Sequence, residues 1–411
     1  MTTKTIKILQ LTFLFALAFL IMFSYGIARP AIESLFLKAH TSKALPDVWI
    51  YMSLTMIAVV AIYNIFLPKV RLIKLYVIIT ALSTTILFFM ILAAKISFPG
   101  IYYLLYIWKD IYVIILVELF YSYTNSVFPI KQARWFYGFF GTVAAAGAVV
   151  ANFAVGPIAK SMGSLNSLWF VVITLFITAL ICIPFSLYCD IDMPESFKNK
   201  KANIFEALKV VNKSSYLLLF LFLICVVQIT ITLVDFDFNT IIEKIYPLVD
   251  ERTNVMGNIY GIVNSATFVL HALTGVILRL TGIPLILIGV PLLLASSLAV
   301  FIALPGFLTV AVLKIASKAF DYTIFRSARE CLYIPLSYEE RTQGKSIVDM
   351  IVYRMGKVGA SLFVKLFIML NAAVLVSWVT MIFIGIWIGL TTFIIKRFRK
   401  IVSREEEMNL K

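Results

Sequence analysis

"CDIDMPESFKNKKANIFEALKVVNK", residues 189–213, is the one long polar interruption in an otherwise strongly apolar chain. The chain has 411 residues, of which 62% are hydrophobic and only 14% are charged, and its mean hydropathy is +0.98. Soluble domains usually carry about 25% charged residues. The composition therefore predicts an integral membrane protein, which this polar segment divides into two halves of similar length.

Runs without Asp, Glu, Lys or Arg recur on both sides of the polar segment, as in residues 8–28, 75–94 and 366–395. Each approaches the roughly 20 residues that a helix needs to cross a bilayer. The runs are continuously apolar instead of alternating, which favours helices over a β-barrel. We predict twelve transmembrane spans, at approximately 8–28, 47–68, 72–94, 101–128, 135–159, 166–189, 214–238, 254–280, 283–304, 307–334, 347–370 and 373–396.

The predicted organisation is an N-terminal six-helix lobe over 1–190, a linker over 191–213 and a C-terminal six-helix lobe over 214–411. Two halves of six spans are typical of two-lobed secondary transporters. The predicted fold class is thus an all-α integral membrane protein with twelve transmembrane helices in two six-helix lobes, similar to the major facilitator fold.

The distribution of basic residues predicts the orientation of the chain, because loops rich in Lys and Arg remain cytoplasmic. Loops and termini on one side hold twenty-one Lys and Arg residues, including the five lysines of the linker, whereas the other side holds six. We expect both termini and the linker to be cytoplasmic, in the cell (inner) membrane. The net charge of +15 then reflects membrane-facing loops, and no nucleic-acid partner is expected.

Charged residues inside the predicted spans are concentrated on spans 1, 4, 7, 10 and 11. A charge at the bilayer centre costs at least about 2.5–3.5 kcal/mol, and in the major facilitator plan helices 1, 4, 7 and 10 line a central cavity. On span 10, Lys314, Lys318 and Asp321 step by four and three residues and share one helix face. Basic residues predominate, which favours a phosphorylated anion, although neutralisation within a structural network stays open. The predicted substrate-binding residues are Arg29, Lys109, Glu118, Lys314, Lys318, Asp321, Arg354 and Lys357.

Span 8 contains "GNIYGIVNS", which places Gly257 and Gly261 four residues apart. Small residues at this spacing let helices approach closely, either in ordinary packing within a lobe or at an interface that moves during transport.

The sequence contains no recognisable catalytic motif. "ERTQGKS", residues 340–346, is not a P-loop, because position 339 is glutamate where that motif needs glycine. No enzymatic activity, metal site or cofactor is expected.

Two stretches indicate a family. "VELFYSYTNSVFPIKQARWFYGFFG", residues 117–141, and "SARECLYIPLSYEERTQGKSIVDMIVYRMGKVGASL", residues 327–362, resemble the ATP/ADP translocases of plastids and of obligate intracellular bacteria such as Rickettsia and Chlamydia. These nucleotide transporters are related to the major facilitator fold. The resemblance implies an exchanger of nucleotides across a membrane.

The resemblance assigns roles to some charged residues of this chain but does not match all charged positions of the family. Glu118 matches an acidic residue of the family, and Asp235 occupies the place of a family glutamate. Lys345 and Lys357 both lie in the family's lysine-rich segment, and either could correspond to its substrate-linked lysine. Span 1 keeps Arg29 but has Ile32 where the family's lysine is expected. The predicted coupling or gating residues are Asp110, Asp235, Lys345, Gly257 and Gly261.

The sequence therefore predicts a secondary transporter that exchanges ATP/ADP-type nucleotides, or a related phosphorylated anion, by alternating access. The alternative is a proton-coupled major facilitator carrier of another anionic metabolite, in which Asp110, Glu118 or Asp235 takes the proton. A receptor that binds a ligand without transporting it is a third possibility, which no sequence feature favours. The expected partners are an anionic, nucleotide-like small molecule and the lipid bilayer, and the expected oligomeric state is a monomer.

Overall fold

The computed structural model describes residues 3–66, 70–127, 130–188, 212, 214–333, 336–337, 340 and 351–409, and these residues are helical apart from short connections. A 3₁₀ turn covers Ser42–Ala44, and a π-helical turn covers Asp321–Phe325. The helices are α1 (Thr3–His40), α2 (Leu45–Phe66), α3 (Leu72–Lys95), α4 (Ile101–Val127), α5 (Ile130–Met162), α6 (Ser164–Tyr188), α7 (Ser215–Ile245), α8 (Val249–Ala303), α9 (Phe307–Phe320), α10 (Arg326–Cys331), α11 (Tyr353–Met369) and α12 (Leu375–Asn409).

Eight helices within the described ranges are long and apolar enough to cross a membrane. One of them, α8, has 55 residues and is interrupted at Gly282, whose φ of 75° is a left-handed conformation that suits glycine. Predicted spans 8 and 9 lie on the two sides of this interruption. Helix α4, which carries Lys109, Asp110 and Glu118, is not among the eight. The count of twelve spans stays a prediction.

Helices α1 and α7 are longer than the sequence indicated. Span 1 was expected over 8–28 and span 7 over 214–238, whereas the helices cover Thr3–His40 and Ser215–Ile245. The predicted end of span 1 lies just before Arg29, because an uncharged run defined that span, whereas predicted span 7 already contained Asp235 and Asp237. The structure places Arg29 and Glu33 inside α1, and Asp235 inside α7, where each has ionic partners.

The chain forms two compact units. Unit 1 comprises Met1–Thr41, Leu54–Lys200 and Tyr246–Phe268, and unit 2 comprises Ser42–Ser53, Lys201–Ile245 and Val269–Lys411. Each unit thus includes a short segment from the other half of the sequence. The lobe boundaries expected at 190 and 214 stay a prediction, and the 191–213 linker lies, apart from residue 212, outside the described residues.

One charged helix lies at the centre of each unit. In unit 1, α1 packs against α4, α5 and α6, and in unit 2, α7 packs against α9, α11 and α12. Apolar side chains along α7 are buried almost continuously from Leu223 to Phe238. The central helices therefore hold Glu33 and Asp235 among several neighbouring helices, where residues from distant parts of the chain can reach them.

Candidate functional site

The first cluster of charged residues, which we call the Glu33 network, lies in unit 1 around the carboxylate of Glu33. Glu33 Oε1 is 3.2 Å from Nε of Arg29, one helical turn earlier on α1, and 3.4 Å from Nζ of Lys109 on α4. The hydroxyl of Tyr260 on α8 donates a hydrogen bond to Glu33 Oε2. Glu33 and Lys109 are buried, with 5% and 2% exposure, so these contacts take place away from water.

Asp110 extends the Glu33 network along α4. Its Oδ1 is 3.1 Å from Nζ of Lys109 and accepts a hydrogen bond of 3.1 Å from the hydroxyl of Tyr25. The Lys109 ammonium also lies 4.1 Å from the ring centroid of Tyr106. The network contains two cations and two carboxylates among its described members, and its charges are therefore balanced. This pairing lowers the cost of each charge inside a membrane.

The second cluster, the Asp235 network, lies in unit 2. Nζ of Lys314 is 2.6 Å from Asp235 Oδ1, and Nζ of Lys318 is 3.0 Å from Asp235 Oδ2. The two lysines are one turn apart on α9, as the sequence predicted, and both are buried, with 1% and 7% exposure. One carboxylate on α7 thus holds two ammonium groups. This is the arrangement of the described residues that most resembles an anion site.

A π-helical turn over Asp321–Phe325 follows the two lysines directly. Such turns are rare and often occur at functional sites. Asp321 is half-buried in this turn and interacts electrostatically with Arg329, Lys318 and Arg326. Arg329 is buried, and its guanidinium lies 5.3 Å from the ring centroid of Tyr353. Among the described residues, span 10 and Asp235 together carry four basic groups (Lys314, Lys318, Arg326 and Arg329) and three acidic groups (Asp235, Asp321 and Glu330), which is an excess of one positive charge.

Helix α11 presents its basic residues to the first part of α2, also within unit 2. Nζ of Lys357 lies 3.8 Å from Sδ of Met52 and 5.7 Å from the ring centroid of Trp49. Lys365 forms an ion pair of 2.7 Å with Asp47, and both side chains of that pair are substantially exposed. Lys357 is half-buried and belongs to a more apolar environment than Lys365.

The two glycines of span 8 pack against α5 within unit 1. A methyl group at position 257 would lie 2.6 Å from the carbonyl oxygen of Asn152, and one at position 261 would lie 2.8 Å from the ring of Phe153. A side chain at position 257 would meet backbone, so only glycine fits there, whereas a side chain at position 261 would require the ring of Phe153 to move. The close approach joins a helix from the second half of the sequence to a helix from the first half.

The remaining predicted residues are more scattered. Glu118 lies two turns beyond Asp110 on α4 and is exposed, and Arg354 is half-buried at the start of α11. Lys345 lies outside the described residues. Of the thirteen predicted site residues, the structure brings Arg29, Lys109 and Asp110 together in the Glu33 network. It brings Lys314, Lys318 and Asp235 together in the second network, with Asp321 nearby.

Sequence reasoning did not select Glu33, Tyr260 or Arg252 as site residues. Glu33 and Tyr260 belong to the Glu33 network. Arg252, assigned to an outer loop, is 2% exposed and donates hydrogen bonds to the carbonyl oxygens of Tyr246, Pro247 and Ser34. The spacing of Arg29 and Glu33, four residues apart in a helix, was a signal for the first of them. The described residues contain no group of three or more His, Cys, Asp or Glu side chains suited to a metal ion.

Comparison with known proteins gives a family match. The family model described as TLC ATP/ADP transporter matches residues 97–398. "ADP,ATP carrier protein 3" of Rickettsia conorii is 23% identical over an alignment of 349 residues, and the match covers 71% of this chain and 70% of the rickettsial protein. "ADP,ATP carrier protein 1" of Chlamydia muridarum is 23% identical over 313 residues, and the match spans 65% of this chain and 58% of the chlamydial protein.

Solved structures with a similar fold include the crystal structure of the nucleoside transporter NupG. It aligns with a TM-score of 0.71 at 14% sequence identity, covering 94% of this chain and 98% of that protein. At this identity the likeness concerns the fold alone. Together with similar matches to other transporters, it confirms the prediction of an all-helical membrane protein with a major facilitator-like fold.

Proposed function

Because the chain belongs to the TLC ATP/ADP transporter family, we propose that it exchanges ATP/ADP-type nucleotides and binds their phosphates at the Asp235 network. The observation that carries this proposal is the sharing of one carboxylate by two buried ammonium groups. Family membership confirms that the protein is a multi-pass membrane transporter of the nucleotide-exchange class and not an enzyme.

The chemistry of the Asp235 network suits a phosphate group. Lys314 and Lys318 each direct an ammonium group to a different oxygen of Asp235, at 2.6 and 3.0 Å. A terminal phosphate offers several charged oxygens and competes with the carboxylate for the same two donors. Asp235 then acts as an internal anion that holds the lysines in place, and the nucleotide replaces it. Because both lysines are buried, access of the nucleotide requires the helices to move, as alternating access supplies.

Other basic residues are proposed to contribute further donors. Arg29 and Lys109 are the candidates in unit 1, and Arg354 and Lys357 are those in unit 2. Arg29 and Lys109 are balanced by Glu33 and Asp110, so they exchange one anionic partner for another when substrate binds. The positive excess around span 10 favours Lys314 and Lys318 as the primary phosphate ligands.

The proposal includes an orientation in the membrane. We infer that the protein lies in the inner membrane as a monomer, with both termini and the 191–213 linker on the cytoplasmic side. The excess of Lys and Arg in the loops of that side supports this orientation.

Substitution of Lys318 by Gln tests the phosphate site. In purified protein, Lys318→Gln should raise the Kd for ATP at least about 10-fold, since a hydrogen bond to a charged group contributes roughly 1.5–3 kcal/mol. Binding of adenosine, which has no phosphate, should change little. The matched control is Lys365→Gln, which removes an exposed lysine paired with Asp47 and should leave both affinities unchanged.

Salt dependence provides a second measurement on the same protein. Raising the ionic strength should weaken ATP binding, but less than it would at an exposed site, because buried charges are screened less. The phosphate-site assignment is wrong if Lys318→Gln binds ATP as tightly as the parent protein. Failure of the parent to bind or exchange any nucleotide would overturn the proposed substrate itself.

A further inference from the structure

Tyr260 makes two contacts with the ion pair at the centre of the Glu33 network. Its ring lies under the guanidinium of Arg29, with 4.0 Å between Cζ of Arg29 and the ring centroid. Its hydroxyl donates a hydrogen bond to Oε2 of Glu33, while Arg29 Nε is 3.2 Å from Oε1 of the same carboxylate. One tyrosine thus holds both members of the pair, and all three residues lie within unit 1.

Two of these three residues are buried, whereas the side chain of the third, Arg29, is partly exposed. Tyr260 is 2% exposed and Glu33 is 5% exposed, whereas the side chain of Arg29 is 19% exposed. An arginine has five N–H donors in a rigid, planar fork, and the bond to Glu33 through Nε uses one of them. Stacking on an aromatic ring fixes the plane of the fork, and the bond to Glu33 fixes its rotation within that plane.

The position of Tyr260 depends on the close contact between α8 and α5. Gly257 lies one turn before Tyr260 and Gly261 follows it directly, and a side chain at these positions would meet the backbone of Asn152 or the ring of Phe153, respectively. Larger residues there would move α8 outward and carry the tyrosine away from α1. The glycine spacing and the tyrosine between the two glycines thus belong to one structural arrangement.

We propose that Tyr260 is a positioning residue that orients the guanidinium of Arg29 toward a phosphate group of the transported nucleotide. The inference rests on the proposed function, because it requires a phosphorylated substrate that Arg29 contacts. Tyr260 itself does not bind the substrate and acts through Arg29. Loss of the tyrosine ring should therefore weaken recognition of the phosphates only while Arg29 is present.

A double-mutant cycle measured by exchange of labelled ATP in proteoliposomes tests this inference. Tyr260→Leu should raise the KM for ATP roughly 10-fold, by removing both the stacking and the hydrogen bond. Tyr260→Phe keeps the ring, which fits the same site, and loses only the hydroxyl group, so it should raise the KM by less. In the Arg29→Gln background, Tyr260→Leu should cause no further rise, because the residue it positions is gone.

Tyr216→Phe is the matched control, since Tyr216 is also buried and its hydroxyl also donates a hydrogen bond, to the carbonyl oxygen of Leu332, but it is part of neither network. It should leave the KM for ATP near that of the parent. If the effects of Tyr260→Leu and Arg29→Gln multiply, or if Tyr260→Phe and Tyr260→Leu raise the KM equally, the inference is wrong. Those outcomes presuppose a parent protein that exchanges ATP, so they are distinct from failure of the proposed function.

Discussion

The carboxylate of Asp235 pairs with two ammonium groups that would each be costly inside a membrane. Lys314 and Lys318 reach it from the next-but-one helix along the chain, and both are almost fully buried. A buried charge that loses its partner is far more destabilising than an exposed one, because the surroundings cannot solvate it. The protein also contains an exposed pair, Lys365 with Asp47, which allows the two cases to be compared in one chain.

Asp235→Asn should therefore lower the free energy of unfolding by about 3–5 kcal/mol, the usual loss when one partner of a buried pair is removed. The matched variant Asp47→Asn should lower it by only about 0–1 kcal/mol, as for surface pairs. Equilibrium unfolding in mixed detergent micelles measures both. Equal losses for the two variants would contradict the view that the Asp235 network is buried.

The pairing of the two lysines with Asp235 is a feature that sequence patterns could not reveal. Helical spacing placed Lys314, Lys318 and Asp321 on one face, but it did not predict a partner on another helix. The structure pairs both lysines with a residue 79 positions before Lys314. Periodicity reports neighbours on one helix, whereas the partner in a low-dielectric environment is whichever carboxylate tertiary packing brings closest.

At the scale of helices, the close contact between α8 and α5 lies beside the buried carboxylate of Glu33. Gly257 and Gly261 let α8 contact α5, and this contact brings Tyr260 to Glu33 on α1. Small residues at this spacing allow close helix contacts in membranes. Both segments belong to unit 1, so the choice between ordinary packing and a role of the glycines in movement during transport stays a question for experiment.

Gly261→Leu should reduce the rate of nucleotide exchange by more than it weakens nucleotide binding, because a leucine meets the ring of Phe153 and hinders the close approach of α8 to α5. The control on the same helix is Gly275→Leu, since a side chain at position 275 meets no atom within 4 Å. Its exchange rate should match that of the parent. Equal losses of binding and exchange for Gly261→Leu, with reduced expression, would indicate ordinary packing instead.

At the scale of the whole molecule, the sequence predicted the fold class well. Apolar runs and polar connections placed α4 and α9 within a residue or so of their observed starts, since the length of a membrane span is set by the bilayer. The end of α1 was underestimated, because the charged residues after position 28 were taken as the helix end, and α7 also extends beyond its predicted end at 238. The candidate site was predicted in part, namely its basic residues but not Glu33 or Tyr260, since cross-helix partners leave no local pattern.

The orientation of the chain is the prediction on which the depth of every charged residue depends. Basic residues crowd the loops of one side, where the negative potential of the cytoplasm retains them. A single cysteine introduced at Ser196, in a variant without the native cysteines, should react with a membrane-impermeant maleimide only after the cells are permeabilised. A cysteine at Ser97, in the exposed connection between α3 and α4, should instead react in intact cells.

These two positions make the experiment decisive, because an odd number of membrane crossings between them is required for opposite behaviour. The predicted spans place three crossings between residues 97 and 196, at 101–128, 135–159 and 166–189. If both cysteines are labelled from outside, the number of crossings between them is even, and the prediction of three spans between residues 97 and 196 is wrong. If only the cysteine of Ser196→Cys is labelled in intact cells, the orientation of the protein is the reverse of the predicted one. In that case the twenty-one basic residues would lie outside, and Lys314 would lie nearer the cytoplasmic surface than Lys318.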